Sequence, residues 1–337
     1  MNLVFTLCSN NYLAQAKILL TSFKKYHPDY TFVIGLVDKM AEGINYDEFS
    51  DGQVIPVEEL GIPNFDELCK RYNVVELNTS VKASYFLYIK QKFPGVTKVI
   101  YLDPDIKVFN TLDAIWTLLD TKNIVVTPHI LNPISPDNYT PQENIFLNYG
   151  IYNLGFLGVN ISSTQSVEFL KWWENRILNF GYNRVQEGYF VDQLWINLAP
   201  LFFDKVAIIR EPGYNMAPWN LHERVISSYS ESKILVNGDC PLFFYHFSSF
   251  SYKTPESICK PYYNRFTFDN RPDLKPIYET YVNEIIAYGA AKLSGYKCEL
   301  LIEEPIVAQQ HSLSNKIKFW CRQLLPPIIT RKLTVLD

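Results

Sequence analysis

The segment VIYLDPDIKVF, residues 99–109, places two carboxylates directly after an apolar strand. Asp103 and Asp105 are two positions apart, and in an extended backbone this spacing directs both side chains to the same side. Two carboxylates in a small volume repel each other unless a cation lies between them, and hard oxygen ligands favour Mg²⁺ or Mn²⁺. Acidic pairs are also common as solvated turn residues, but the position after a buried strand favours a metal site.

Apolar strands alternate with helical patterns on both sides of this segment. Strands are predicted at residues 2–8, 31–37, 53–57, 98–102, 123–128 and 152–160. Helices are predicted at residues 12–26, 64–72, 79–92, 111–120 and 167–178, with a loop rich in Pro and Asn at 131–145. The alternation predicts an α/β protein with a mostly parallel sheet, in which ligands bind beyond the carboxyl ends of the strands.

The strand signals stop at about Lys260. We therefore expect a catalytic domain over residues 1–259 and a small helical C-terminal region over residues 260–337. Within that region, residues 313–327 predict an amphipathic helix with an apolar face and a basic face, followed by Arg331 and Lys332. The apolar face comprises Leu313, Ile317, Trp320 and Leu324, and the basic face Lys318 and Arg322. Such a helix either lies on an anionic membrane surface or packs on the core of the protein.

Composition and glycine placement exclude several classes of protein. The formal net charge of −4 gives no basic field for nucleic acid. The first glycine is Gly35, no two glycines are two positions apart and none precedes a lysine, so the dinucleotide fingerprint and the P-loop are both missing. No apolar run is long enough to span a membrane, the start does not resemble a signal peptide, and the six cysteines form no C-x-x-C pair. We expect a cytoplasmic protein with reduced thiols.

Several further segments accompany residues 99–106 in a fixed order over roughly residues 1–250. They are SNNYLAQAKILLTSF (9–23), ELNTSVKASYFL (76–87), YNLGFLGVN (152–160), GYFVDQLWINLAP (188–200), GYNMAPWNL (213–221) and FYHFSSF (244–250). Together they resemble the bacterial glycosyltransferases of the GT-A fold, and they are most similar to the retaining family 8 nucleotide-sugar glycosyltransferases. The resemblance implies a Rossmann-like mixed sheet, mostly parallel and flanked by helices.

The resemblance also implies a metal site and a donor site. Asp103, Asp105 and His246 would hold a divalent ion on the diphosphate of a nucleotide-sugar, expected to be a UDP-hexose. An imidazole ligand favours Mn²⁺ over Mg²⁺. Tyr12 would stack on the base, and Gly155 would admit the sugar ring. The full set of implied donor-binding residues is Thr6, Asn11, Tyr12, Lys82, Gly155 and Lys253.

The implied catalytic residues are Asn153, Asp192 and Gln193, of which Asp192 and Gln193 would bind sugar hydroxyls near the anomeric carbon. For retaining enzymes of this kind the resemblance implies attack on the front face, with the leaving phosphate taking the acceptor proton. Asp192 is the candidate to test as a nucleophile. An acceptor groove is expected around Tyr214, Asn215 and Trp219.

The leading hypothesis is therefore an enzyme that moves a hexose from a nucleotide-sugar to a glycan or lipid-linked glycan acceptor in cell-surface polysaccharide synthesis. One alternative is a nucleotide-sugar hydrolase, which would share the metal site and lack the acceptor groove. Another is a carbohydrate-binding protein with a degenerate site, and the intact Asp103, Asp105 and His246 argue against it.

Overall fold

The computed structural model describes residues 1–230 and 233–302 of the chain. Within these residues the strands are β1 (Asn2–Cys8), β2 (Thr31–Leu36), β3 (Gln53–Pro56), β4 (Lys98–Leu102), β5 (Ile106–Val108), β6 (Ile124–Pro128), β7 (Tyr152–Asn160), β8 (Asn183–Arg184), β9 (Tyr189–Phe190), β10 (Val206–Ile208), β11 (Ile226–Tyr229), β12 (Ile234–Val236), β13 (Cys240–Pro241) and β14 (Phe244–His246). The α-helices are α1 (Leu13–Tyr26), α2 (Phe65–Arg71), α3 (Val74–Ser80), α4 (Lys82–Lys92), α5 (Asp113–Leu118), α6 (Glu143–Tyr149), α7 (Thr164–Phe180), α8 (Ala199–Phe202), α9 (Lys275–Ala287) and α10 (Ala290–Leu293).

Within the described residues the main sheet has seven strands, in the order β10-β6-β7-β4-β1-β2-β3. Strand β7 runs antiparallel to both of its neighbours, β4 and β6. The other pairs, β10 with β6, β4 with β1, β1 with β2, and β2 with β3, are parallel. The predicted mixed, mostly parallel α/β architecture is confirmed.

Two apolar layers cover the main sheet, one on each face. Alternate side chains of β1 point into them, so Phe5 packs in the layer that contains α4 and α7, and Val4 packs in the layer that contains α1 and α5. Phe5 meets Phe86 edge to face, with the ring centroids 4.7 Å apart. Burial on both faces explains why β1 reads as a continuous apolar run rather than an alternating one.

The helix predicted over residues 79–92 is two helices, α3 and α4, that meet at Val81. Asn73 caps α3 by accepting hydrogen bonds from the backbone N–H groups of Val75 and Glu76, and the Glu76 carboxylate accepts one from the backbone N–H of Asn73. This reciprocal arrangement fixes the start of the helix. The break makes Lys82 the first residue of α4.

A short ribbon outside the main sheet carries one of the predicted metal ligands. Strand β14 pairs antiparallel with β5, and His246 stands opposite Ile106 in the register. Strands β11, β12 and β13 form a further small antiparallel sheet. Residues 131–145 were predicted to be a loop, but α6 begins within them, at Glu143.

The region after residue 259 continues with α9 and α10. Contacts within the chain group Met1–Leu301 as one compact unit. Ile277 and Tyr281 of α9 pack with Ala14 and Ile18 of α1 in a shared apolar cluster. The boundary at residue 259 stays a prediction, and the amphipathic segment 313–327 with Arg331 and Lys332 lies outside the described residues.

The described residues contain no helix that is both long enough and apolar enough to cross a membrane. Cys8 and Cys69 are buried free thiols, and Cys240, Cys259 and Cys298 are half-buried free thiols.

Candidate active site

A cleft of about 230 Å³ opens at the carboxyl ends of β1 and β4. It is lined by the turn after β1, by α3 and by the Asp-Pro-Asp segment after β4. The lining residues that matter here are Asn11, Tyr12, Asn78, Tyr101, Asp103 and Asp105. The cleft therefore lies at the edge of the sheet where parallel α/β proteins bind their ligands.

Asp103, Asp105 and His246 come together beside this cleft, with one ligand atom from each residue lying within 4.8 Å of the others. The Nε2 atom of His246 is 3.0 Å from Oδ1 of Asp105 and 3.7 Å from Oδ2 of Asp103. Backbone hydrogen bonds hold the segments in place, because the Asp103 N–H donates to the Gly155 carbonyl at 2.8 Å and the Phe247 N–H donates to the Asp105 carbonyl at 2.9 Å. Strand pairing thus brings together ligands that are far apart in the sequence.

The chemistry of this group fits a divalent cation. Carboxylate oxygens with one imidazole suit Mn²⁺ and also Mg²⁺. Neighbouring ligand atoms on an octahedral ion with bonds of about 2.1 Å lie roughly 3 Å apart, close to the separation of His246 Nε2 from Asp105 Oδ1. Burial lowers the pKa of the His246 imidazole, but the charges of Asp105 and Asp103 outweigh burial and leave the pKa above its ordinary value. The two carboxylates therefore already create a strong preference for positive charge at this point.

Gly155 makes room for the imidazole of His246. A Cβ atom at this position would lie 2.5 Å from Cε1 of His246 and 2.8 Å from Oδ1 of Asn153. Any side chain larger than hydrogen would displace the histidine. The observed requirement for glycine comes from His246, and the predicted approach of the donor sugar to Gly155 stays a prediction.

Lys82 lies inside the protein, with only 2% of its side chain exposed. Its Nζ atom is 2.6 Å from Oδ2 of Asp192, donates to the Leu154 carbonyl at 3.0 Å and lies 4.1 Å from the centroid of the Tyr101 ring. It also approaches Oδ1 of Asp103 to 3.8 Å. The resemblance implied that Lys82 binds the donor; the structure shows its charge engaged by Asp192 and Asp103, and contact with the donor stays a prediction.

The turn before Asp192 sets the position of this carboxylate. Val191 has φ = 40°, in the left-handed region that is strained for a β-branched residue, and the Trp173 indole N–H donates to the Asp192 carbonyl at 3.0 Å. Burial raises the pKa of Asp192, and the neighbouring Lys82 ammonium lowers it in part. Lys82 is thus the group that favours ionisation of Asp192.

Tyr101 is a site residue that the sequence analysis missed. Its hydroxyl donates to Oδ1 of Asp103 at 2.6 Å. Burial raises the pKa of Tyr101, and so does the charge of Asp103, so the hydroxyl keeps its proton. The signal was present, because Tyr101 and Asp103 are two positions apart and share one side of an extended strand.

Asn153 and Gln193, two residues of the predicted catalytic set, lie together in a buried cluster of amides, and their catalytic role stays a prediction. The Asn153 Nδ2 atom is 3.3 Å from Oε1 of Gln193 and 3.3 Å from Nε2 of His129, and Asn215 Nδ2 donates to Asn153 Oδ1 at 3.0 Å. Burial lowers the pKa of His129 to about 4. His129 was missed, although it directly follows β6, which is parallel to β4 and ends at the same edge of the sheet.

Thr6 and Lys253, like Lys82 and Gly155 described above, are predicted donor-binding residues that do not line this cleft. Thr6 is completely buried within β1, and its hydroxyl has no hydrogen-bond partner among the described residues. Lys253 is exposed, with its ammonium 5.8 Å from the centroid of the Tyr252 ring. Asn11 and Tyr12, in contrast, line the cleft, and Tyr12 is 42% exposed.

The residues predicted to surround an acceptor groove are buried. Tyr214 stacks on Phe243 with the ring centroids 3.9 Å apart, and Asn215 is completely buried. Trp219 meets the His246 ring edge to face at 5.2 Å. In this structure these side chains pack among the residues of the site and do not line an open groove.

Comparison with known proteins adds relatives and a solved structure. The chain is 24% identical over 254 residues to uncharacterized protein YfnF of Bacillus subtilis (strain 168), a match that covers 73% of this chain and 80% of the relative. It is 20% identical over 280 residues to uncharacterized protein YfnD of the same organism, covering 82% and 86%. The crystal structure of galactosyltransferase LgtC with donor and acceptor sugar analogs is similar at 17% identity and a TM-score of 0.47, covering 85% of this chain and 96% of that one.

The sequence model of glycosyl transferase family 8 matches residues 3–235, a range that includes the cleft, both aspartates and the amide cluster. This match covers well over half of the chain and confirms the resemblance seen in the sequence. The chain belongs to glycosyl transferase family 8.

Proposed function

We propose that the protein transfers a hexose from a nucleotide-sugar, expected to be a UDP-hexose, to a glycan or lipid-linked glycan acceptor, and that it retains the anomeric configuration. The observation that carries this proposal is the group of Asp103, Asp105 and His246 at the mouth of the cleft lined by Tyr12. Family membership supports glycosyl transfer in general, and the cleft beside a cation site suits a nucleoside diphosphate.

Asp103, Asp105 and His246 would hold the metal, Mn²⁺ or Mg²⁺. When bound, such an ion stabilises negative charge on the leaving diphosphate. Tyr101 keeps Asp103 oriented through its hydrogen bond, and the contact with Asp105 orients His246. The ring of Tyr12, at the open side of the cleft, suits stacking on the base.

Asp192 is the carboxylate that would face the anomeric carbon. Lys82, held between Asp192 and Asp103, favours the ionised form of Asp192 against the effect of burial, which raises the pKa of this carboxyl. An ionised carboxylate there either stabilises the developing positive charge of the sugar or attacks it as a nucleophile. Either role is compatible with retention, in which the leaving phosphate takes the proton of the acceptor.

Hydrolysis of the nucleotide-sugar is the second candidate function. It is favoured by one observation, the burial of Tyr214, Asn215 and Trp219, around which an acceptor groove was expected. A hydrolase would use the same metal and donor site with water as the acceptor.

One experiment separates these functions. Thermal-shift screening of nucleotide-sugars with Mn²⁺ identifies the donor, and NMR of the first products on a glycan panel then identifies the reaction. Transfer gives a glycoside of the donor's own configuration, whereas hydrolysis releases the free hexose at the same rate with or without acceptor. If no nucleotide-sugar stabilises the protein in the presence of Mn²⁺, the donor site is wrong.

We also propose that transfer takes place at the inner face of a membrane, in cell-surface polysaccharide synthesis. This proposal is supported by the sequence of residues 313–327 alone, in which basic and apolar residues alternate with helical period.

A further inference from the structure

Two backbone N–H groups of β7 fix the orientation of the two buried amides. The Gly155 N–H donates to Oδ1 of Asn153 at 3.1 Å, and the Leu154 N–H donates to Oε1 of Gln193 at 3.0 Å. A backbone N–H is only a donor, so the atom opposite it must be the amide oxygen. The Tyr149 carbonyl is only an acceptor, and Gln193 Nε2 faces it at 2.7 Å. The oxygen and nitrogen of both amides are therefore assigned by independent contacts.

These assignments also determine which nitrogen of His129 carries the proton. Nδ2 of Asn153 is a donor, so Nε2 of His129, 3.3 Å away, must accept. The proton then lies on Nδ1, which is 3.3 Å from the Ile151 carbonyl, a suitable acceptor. His129 is consequently a neutral imidazole with a single tautomer that satisfies both of its neighbours.

Counting hydrogen bonds shows that Asn153 has no capacity left for a ligand. Its two N–H groups face His129 and Gln193, and its oxygen accepts from Gly155 and Asn215. An amide offers two donors and two lone pairs, and all four are used. Asn153 is therefore held as the centre of the cluster rather than presented to a substrate.

Gln193 differs from Asn153 in one respect. Its oxygen accepts from Leu154 and Asn153, but only one of its two N–H groups has an acceptor among the described residues, the Tyr149 carbonyl. One N–H of Gln193 thus remains available for a sugar hydroxyl. A substrate contact of this kind keeps its direction only if the amide cannot turn over.

We propose that His129 is a positioning residue that fixes the Asn153 amide beside Gln193, the residue that the family resemblance already implies as a contact of the donor sugar. The proposal rests on the proposed function for the identity of the hexose, but the hydrogen-bond arrangement itself does not depend on it. Without an acceptor at the position of His129 Nε2, the Asn153 amide loses one of its four partners, so its hydrogen bond to Oε1 of Gln193 is held less firmly.

Two substitutions of His129 test the roles of its two ring nitrogens separately. The His129→Gln variant places an amide oxygen near the position of Nε2 and so keeps an acceptor for Asn153. The His129→Asn variant places its amide near the position of Nδ1, so it keeps a partner for the Ile151 carbonyl and removes the acceptor for Asn153. Both variants remove the imidazole, so they share any cost of lost packing against Phe146 and Trp219.

The measurement is kcat and KM for the donor, together with the affinity for UDP and Mn²⁺. We expect His129→Asn to lower kcat about 10-fold to 100-fold, the usual loss for a misplaced contact, with UDP affinity unchanged because the cleft is intact. The His129→Gln variant should keep kcat near that of the wild type. Equal loss in both variants, or loss in neither, would overturn the positioning role.

A second measurement does not require activity. Long-range ¹H–¹⁵N NMR reports the tautomer of each histidine, and the His129→Gln spectrum identifies the His129 signals among the five histidines of the chain. A proton on Nδ1 at neutral pH supports the arrangement, and a proton on Nε2 overturns it. If the wild type transfers no hexose from any donor, the proposed function fails while the tautomer still decides the hydrogen-bond arrangement.

Discussion

The Nζ atom of Lys82 lies 2.6 Å from Oδ2 of Asp192, and the two side chains are only 2% and 3% exposed. Lys82 begins α4, and Asp192 follows the strained turn at Val191, so the ion pair joins two segments that are distant in the sequence. An ion pair in such a dry environment is costly to break, because removing one partner leaves an uncompensated buried charge.

Replacing Lys82 with Met should therefore lower the free energy of unfolding by about 3–5 kcal/mol. Lys92→Met is the matched control on the same helix, because Lys92 and its partner Glu59 are about half exposed and such pairs contribute roughly 0–1 kcal/mol. Urea denaturation measures both. Adding Asp192→Asn to Lys82→Met should restore part of the lost free energy of unfolding. Equal stability of the Lys82→Met and Lys92→Met variants would show that the Lys82–Asp192 ion pair does not stabilise the fold.

Asp103→Asn and Asp105→Asn should each abolish Mn²⁺-dependent activity and leave the fold intact, because each removes one charged ligand from a partly exposed strand end. The exposed Asp51→Asn variant is the control for a change of one charge. Activity assays with and without EDTA, with circular dichroism for folding, provide the measurement. Full turnover in EDTA would contradict the metal site.

Gly155→Ala should weaken Mn²⁺ binding by about 10-fold to 100-fold, the range seen when the support of a ligand is disturbed. The added methyl group would overlap the His246 ring. Gly158→Ala, on the same strand, meets Val125 at 3.3 Å and does not touch the metal ligands, so it controls for a general loss of strand stability. Isothermal titration calorimetry measures the Mn²⁺ affinity of both variants, and equal affinity would contradict the prediction.

Acid should destabilise the wild type more than the His129→Gln variant. Burial lowers the pKa of His129 from 6.5 to about 4, so between these pH values the unfolded chain binds a proton that the folded protein does not. The stability contributed by the neutral imidazole is fully present above pH 6.5 and is lost as the pH falls towards 4, by about 3 kcal/mol in all. Urea denaturation of both proteins at several pH values measures the difference, and parallel curves would contradict it.

Truncation after Ser312 should leave activity on a soluble acceptor unchanged and abolish sedimentation with anionic vesicles. Basic residues near an anionic surface contribute roughly 1 kcal/mol each, and added salt should imitate the truncation in the full-length chain. If the truncated protein precipitates, the apolar face of residues 313–327 belongs to the core instead.

The strands that were predicted best are those whose own sequence of apolar residues shows that they are buried. The continuous apolar runs at residues 2–8 and 152–160 coincide with β1 and β7 in the structure. The positions of these strands follow from local periodicity, which does not depend on the rest of the fold. Asp103 and Asp105 also approach one site, as predicted, but Pro104 and Asp105 form a turn rather than the extended backbone on which that prediction rested.

Features that depend on contacts between distant segments could not be predicted in this way. The contact of Lys82 with Asp192 was not predicted. Tyr214 was expected at an acceptor groove, but Phe243 covers it. Nothing within residues 76–87 or 213–221 encodes those partners, because they come from elsewhere in the chain.

Because β14 pairs with β5, the metal site should tolerate substitutions in the chain before His246 much better than insertions or deletions there. His246 reaches the aspartates because it stands opposite Ile106, and side chains alternate between the two faces of a strand. A single-residue deletion just before β14 would shift this register and place Phe247 opposite Ile106, and a single-residue insertion would place Tyr245 there. Insertions in the chain between β12 and β13 leave the spacing of residues 243–247 unchanged, so the pairing of β14 with β5 does not exclude them.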